Sequence, residues 1–409
     1  MPIKRFPSDV SAAQIRSLSP PAPVETVAEI LHEVKTSGDD AVVAYERKFG
    51  SQIDAIARVD SEFIASGPTA IAAELRAALE LAIENVTAVA TEQIAKDVAL
   101  TLPQGQKVEY RSIPVRRAGA YIPGGRGSYP STAVMCLATA KVAGVESIAA
   151  VSPARENGQV DVAVAAVCAL LEIDELYAIG GAQAVAALGY GTQTIEAVDV
   201  IVGPGNSFVQ EAKKQLVGAI GIDGVAGPSE LVVVADSHAD AEAISLDLLA
   251  QGEHGPDSLV VLITPDPNLL DDVIERCNDI EAEMAAVLAH DMRSAVELAD
   301  AIAPEHMQIV AEPALAEELA AGVRAAGCLF VGANGATAFG DYVAGSNHVL
   351  PTGGAARFAS ALSPATFRRR QSCVTIPDGA VGALADAGAT IADAEGFPLH
   401  GRSMKVRES

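Results

Sequence analysis

The chain has 409 residues, half of them hydrophobic and 20 % charged, enough for a large core and for two or three domains of about 150 residues each. Its 28 Lys plus Arg oppose 53 Asp plus Glu, a formal net charge of −25. Such a surface repels phosphate backbones and anionic lipids, which argues against a nucleic-acid or membrane-surface binder. Five widely spaced cysteines (Cys136, Cys168, Cys277, Cys328 and Cys373) contain no CxxC; they suggest neither a thiolate zinc site nor a disulfide framework, and fit a reducing compartment such as the cytoplasm. No run reaches ~18 apolar residues, and Met1–Pro7 has no apolar core, so neither a spanning helix nor a signal peptide is expected.

In chain order, residues 1–23 read as an irregular, proline-rich segment. From Val24 the pattern turns helical, with Val27, Ile30, Leu31 and Val34 on one face. A long helix is expected over 68–93. Beyond Lys107, short β-branched runs alternate with Ala-rich helical runs. Strands are expected at 147–152, 176–179, 198–202, 231–235, 259–263, 307–310 and 328–331, with helices at 161–171, 182–188 and from 206 through Lys214. This alternation implies an α/β fold of parallel sheets covered on both faces. The units are too many for one sheet, so two Rossmann-like lobes are expected. Strand-to-helix turns rich in glycine are where such sheets take ligands. Gly203-x-Gly205 is only a fragment of a dinucleotide fingerprint, and by itself it reads more readily as a tight strand-to-helix turn that needs glycine dihedrals.

Seven histidines can be weighed one by one. His32, His238 and His290 read as surface. Gln251 and His254 are three apart at the end of a helical run, so an amide oxygen and an imidazole can meet at one point, as zinc-like ligands or as a polar helix end. Glu305 and His306 lie just ahead of a strand and can supply two proton-transfer groups of different pKa, or be loop residues. Asp341 and His348 fall in a Gly-rich loop that lets backbone approach a ligand closely. Glu395 and His400 sit in a terminal tail, ordinarily a frayed surface segment.

Long collinear segments then carry a resemblance. They are 119–125 (GAYIPGG), 131–144, 180–184 (GGAQA), 201–206 (IVGPGN), 226–230 (AGPSE), 251–258, 303–306 (APEH), 340–342 (GDY) and 347–352 (NHVLPT). From about residue 24 to its end the chain resembles the histidinol dehydrogenases. The resemblance implies a zinc-dependent, intertwined homodimer that oxidises L-histidinol through the aldehyde to L-histidine, the last steps of histidine biosynthesis, with two NAD in succession. It implies zinc ligands at Gln251, His254 and Asp341, with His400 contributed from the partner's tail. It implies catalysis by Glu305 and His306, substrate contacts at Ser131, Ser229, His348 and Glu395 beside the ligands and catalytic pair, and NAD contacts at Tyr121, Gln183 and Asn206.

The implied organisation is an N-terminal segment (1–23), a discontinuous metal-side α/β lobe (24–118 and 230–362), an NAD-side α/β lobe (119–229) and a C-terminal helical tail (363–409). Gly252 stands where the family commonly has Ala, and 353–372, with Arg368, Arg369 and Arg370, follows no matched pattern. That Arg cluster is either a solvated basic patch or a contact for an anionic substrate. Two other functions remain open at this point: a paralogous zinc and NAD dehydrogenase of another polar alcohol, such as a sulfonated propanediol, and a catalytically silent binding or structural relative.

Overall fold

The computed structural model describes residues 3–19, 27–51, 53–124 and 127–408. Val24, the prolines at 20, 21 and 23, and Gly125 of the 119–125 segment lie outside the described residues. Two compact units are present, Met1–Gln93 with Arg116–Phe367, and Ile94–Val115 with Arg368–Ser409.

The larger unit holds two all-parallel sheets. One has six strands in the order Lys4–Phe6, Glu283–Leu288, Leu259–Thr264, Glu230–Ala235, His306–Val310 and Cys328–Val331. The other has five, in the order Glu175–Tyr177, Ser147–Val151, Arg117–Tyr121, Val200–Val202 and Gly221–Ile222. The apolar run at 231–235 shows why such strands are unbroken rather than alternating. Leu231 and Val233 pack on one layer with Ile244 and Leu248, while Val232 and Val234 pack on the other with Ala295 and Ile302. Both faces are dry, so every position needs a hydrophobic side chain. Aspartates cap several of the connecting helices, among them Asp161 for Val162–Leu170 and Asp240 for Ala241–Gly252. No helix among the described residues is long and apolar enough to cross a membrane.

Four expectations need correction. The N-terminal segment is not wholly irregular. Lys4–Phe6 forms the edge strand against Glu283–Leu288, and Ala12–Arg16 is a helix whose Ser11 and Gln14 make a reciprocal capping box. The helix expected over 68–93 is two helices, Ser61–Ala70 and Ala73–Glu92, because Ile71 and Ala72 turn to extended backbone and restart the chain. His306 opens its strand rather than preceding it. Asp341 lies on a short helix, Thr337–Tyr342, not in a loop; Gly340 makes this possible, since a Cβ there would sit 2.5 Å from the Phe330 ring.

The smaller unit is an antiparallel sheet, Arg368–Thr375, Lys107–Pro114 and Val98–Thr101, with helices Asp378–Ala394 and Pro398–Lys405. The helical tail is therefore preceded by a strand. The arginines of 368–370 belong to that strand. Arg368 Nε donates to Ser112 Oγ at 2.8 Å, and Arg370 donates to the Lys96 carbonyl at 2.9 Å.

Candidate active site

The densest polar cluster lies at the amino edge of the six-stranded sheet. Three neighbouring strands begin there, at Glu230, His306 and Cys328, and their register sets His306 between Leu231 and Cys328. His306 is 3 % exposed and Glu305, one residue before the strand, 8 %. Glu305 and Glu230 brace each other. The Glu230 N–H donates to Glu305 Oε2 at 2.9 Å, and the Glu305 N–H donates to Glu230 Oε2 at 3.2 Å. The other Glu230 oxygen accepts from Gly353 N–H at 3.1 Å and pairs with Arg16 at 3.0 Å. One buried carboxylate thus ties the strand mouth at Glu305 and His306 to a distant loop and to the N-terminal helix.

His306 Nδ1 lies 3.3 Å from the Glu230 carbonyl, which suits an Nδ1–H donor. Its Nε2 faces Asp341 Oδ1 at 3.4 Å. Asp341 in turn holds His348, whose Nδ1 is 2.7 Å from the Asp341 carbonyl, while His348 Nε2 is 3.3 Å from Thr132 Oγ1. Thr132 is on helix Pro130–Val142, which follows strand Arg117–Tyr121 of the other sheet. The amino edge of one sheet is thereby linked to the carboxyl edge of the other.

Burial pushes the Glu305 carboxyl up to about 7, with the neighbouring Glu230 and Asp341 charges adding and His306 opposing. For His306 burial works against the charged ring, yet Glu305 and Asp341 outweigh it and its pKa is raised. Asp341 is lowered, because His306 overcomes the effect of burial. Burial lowers His348 despite its contact with Asp341. A buried acid and an imidazole whose pKa values are both raised by their surroundings can exchange protons with a bound reactant.

Gln251 ends helix Ala241–Gly252 and is 2 % exposed, and its amide Nε2 is buried without a hydrogen-bond partner. His254 is exposed, with Nδ1 3.2 Å from the Gln251 carbonyl, and its charge reaches Asp341. Among the described residues no three His, Cys, Asp or Glu side chains gather into a metal site. The set here has two such groups, His254 and Asp341, and one amide. An amide oxygen, an imidazole and a carboxylate suit a zinc-like ion with a position left for another ligand; Gln251 would ligate through its oxygen, and the fit rests on the chemistry of this donor set.

The second residue set lies at the carboxyl edge of the five-stranded sheet. The Tyr121 hydroxyl accepts from Gly181 N–H at 3.1 Å, and burial raises its pKa to about 12. Gln183 is 2 % exposed, in the first turn of helix Gly181–Tyr190. Asn206 caps helix Ser207–Leu216 by accepting from Val209 N–H at 3.1 Å. Gly203 has φ +112°, and a Cβ there would sit 2.1 Å from the Tyr121 carbonyl; only glycine fits. A cleft of about 510 Å³ opens at the same edge, lined by Pro123, Gly124, Pro153 and Arg155 among others. Ser131 lies in the first turn of Pro130–Val142, beside Thr132, and Ser229 directly precedes Glu230. Glu395 and His400 belong to the smaller unit. Glu395 closes helix Asp378–Ala394, and His400 lies on Pro398–Lys405, stacked on Phe397 at 5.2 Å.

The family model for histidinol dehydrogenase matches residues 16–408. The chain belongs to the histidinol dehydrogenase family. It is 39 % identical over 397 residues to histidinol dehydrogenase 1 of Trichormus variabilis, covering 93 % of this chain and 91 % of that one. It is 39 % identical over 401 residues to the histidinol dehydrogenase of Rhodospirillum rubrum, covering 94 % and 92 %. The crystal structure of histidinol dehydrogenase from Elizabethkingia anophelis superposes with a TM-score of 0.92 at 28 % identity, over 99 % of this chain and 98 % of that one. The chain is therefore an NAD-linked dehydrogenase of the histidinol dehydrogenase type, with an α/β fold of parallel sheets.

Against that family background, three polar residues that sequence reasoning passed over stand out. Glu230 and Arg16 brace the catalytic edge. A lone acid opening the apolar run 231–235 was the available signal for Glu230; Arg16 had none. Glu46 is the third. It falls one turn after Val42 on the buried face of helix Asp39–Lys48, a place where a charge needs a partner.

Proposed function

We propose that the chain oxidises L-histidinol to L-histidine through the aldehyde, transferring two hydrides to two NAD in succession. The observation that carries this reading is the buried Glu305–His306 pair facing Asp341 at the amino edge of the six-stranded sheet. His306, its Nδ1–H committed to the Glu230 carbonyl, offers Nε2 to take the hydroxyl proton of the alcohol as hydride leaves its carbon. Glu305, held by the Glu230 N–H, takes a proton from the water that adds to the aldehyde. The resulting hydrate gives up its second hydride and a hydroxyl proton to become the carboxylate. The first oxidation thus releases one hydride to NAD and one proton, and the second one hydride and two protons, one from the added water and one from the hydrate hydroxyl.

Gln251, His254 and Asp341 would hold a zinc ion together with the partner subunit's His400. Bound there, zinc would supply a Lewis-acid anchor that orients the nitrogens of the substrate. Ser131, Ser229, His348 and Glu395 would complete the substrate site, and Tyr121, Gln183 and Asn206 would contact NAD. In this reading the α/β lobe built on 230–362 would bear the metal and that built on 119–229 the NAD, in a cytoplasmic homodimer that binds neither nucleic acid nor membrane.

The test is purification with metal analysis, followed by titration of L-histidinol against NAD. Two NADH per histidinol, lost on chelation and restored by zinc, is the expected result. Absence of NADH from histidinol, with turnover of another polar alcohol in a panel, would reassign the substrate while leaving the family in place.

A further inference from the structure

Glu46 is a buried carboxylate that the reaction above does not use. It is 5 % exposed, on helix Asp39–Lys48. Its partners lie at the start of another helix, Gly181–Tyr190, which opens at Gly180 with no side-chain cap of its own. Glu46 Oε1 accepts from Gly180 N–H at 2.8 Å and from Gln183 Nε2 at 2.9 Å.

The position of Gln183 gives this arrangement its meaning. It is the third residue of the helix after the cap Gly180, the place from which a Glu or Gln commonly reaches back to accept the cap N–H. Here Glu46 has taken that N–H. The Gln183 amide nitrogen is drawn to the same carboxylate oxygen, and its carbonyl oxygen, Oε1, is left buried with no partner. A flipped amide would set two acceptors against each other, so the orientation is fixed. Glycine keeps the space beside this oxygen clear: a Cβ on Gly181 would come within 2.7 Å of it. A buried acceptor without a donor carries an uncompensated desolvation cost unless a ligand satisfies it.

We propose that Glu46 is a positioning residue for the cofactor, holding the Gln183 amide so that its carbonyl oxygen meets a hydrogen-bond donor of NAD, a hydroxyl or an amide N–H. The role rests on the reading that places NAD at Tyr121 and Gln183. Glu46 touches neither NAD nor substrate and acts through Gln183 and the Gly180 turn.

The test is steady-state kinetics on the zinc-loaded enzyme, varying NAD and histidinol separately, with Tm measured for each variant. Glu46→Ala is expected to raise KM for NAD about tenfold, the loss of one charge-assisted hydrogen bond, with kcat and KM for histidinol unchanged. Glu46→Gln keeps an acceptor oxygen and restores KM for NAD close to wild type. Glu46→Ala/Gln183→Ala is no worse than Gln183→Ala alone. If Glu46→Ala does not fold, Glu46→Asp decides the matter, because its shorter carboxylate cannot hold both donors and raises KM for NAD in the same direction. The proposal is overturned if the folded Glu46 variants leave KM for NAD unchanged while Gln183→Ala raises it, or if kcat and both KM values shift in step with Tm. If Gln183→Ala itself leaves KM for NAD unchanged, the cofactor placement fails and the role of Glu46 falls with it.

Discussion

The two parallel sheets of the larger unit use opposite edges. The six-stranded sheet presents its amino edge, where Glu230, His306 and Cys328 start their strands and titratable side chains crowd together. The five-stranded sheet presents its carboxyl edge, where glycine turns at 180–181 and 203–205 lead into helix N-termini. Parallel sheets ordinarily take ligands at the carboxyl edge, where the second sheet has its glycine turns. The polar cluster of the first sheet sits at the opposite edge, held by side chains and carbonyls, such as the reciprocal Glu230–Glu305 bonds, rather than by the N–H groups of a helix start. One edge offers proton-transfer groups, the other offers backbone room and donors. The difference matches a division between a reacting substrate and a dinucleotide.

Mutations at the two edges should therefore fail in different ways. The largest effect is expected at the amino edge. His306→Asn should lower the rate of alcohol oxidation by about 10²–10⁴-fold, the usual worth of a positioned base, with Tm little changed. Glu305→Gln should spare part of that step and impair conversion of the aldehyde. Separate assays of histidinol and the aldehyde measure the split, and equal losses in both half-reactions for both variants would erase the proposed division of labour.

At the carboxyl edge the expected loss is one of stability. Lys213, 1 % exposed, donates to the Gly203 carbonyl at 3.0 Å and forms a buried ion pair with Asp223, whose other oxygen accepts from Gly203 N–H at 2.6 Å. Lys213→Met strands the Asp223 charge and should cost about 3–5 kcal/mol, read from denaturant midpoints. A loss below about 0.5 kcal/mol, the range of ordinary surface changes, would show that the pair does not secure the turn.

The smallest expected difference, a factor of about two, tests whether the metal set is shared between subunits. His254→Ala and His400→Ala should each be inactive as homodimers. A hybrid of the two has one site with neither defect and one with both, so it should regain about half the wild-type activity by the symmetry of a two-site dimer. Inactive hybrids after proven subunit exchange would place His400 outside the partner's site.

Much of the fold was legible because strands buried on both faces read as continuous apolar runs. The strands at 231–235 and 259–263 were visible for that reason, and Cys328–Val331 was visible from its short apolar run although it is a partly exposed edge strand. Lys4–Phe6 was not, because three residues have no measurable period and their partners in the neighbouring strand lie 281 positions along the chain. Arg368–Thr375 was missed because its exposed, charged residues lack an apolar alternation; only pairing with Lys107–Pro114 makes it a strand. In the site, histidines and the 303–306 segment marked the catalytic pair. The helical setting of Asp341 was hidden by its glycines, whose role at Gly340 is to admit the Phe330 ring. Glu46 carried no motif at all, since its partners lie 134 and 137 positions along the chain.

The edge strand Lys4–Phe6 also bears on how the molecule is made. Every strand of the five-stranded sheet lies between residues 117 and 222, so that sheet has all its strands once that stretch leaves the ribosome. The six-stranded sheet is bracketed: its first strand, Lys4–Phe6, is made well before the neighbour it pairs with, which begins at Glu283. At 5–20 residues per second, roughly 15–60 s of synthesis separate the two. Through that interval Lys4–Phe6 has no strand to pair with. The amino edge of the six-stranded sheet is thus completed late in biogenesis, after the five-stranded sheet has its full set of strands.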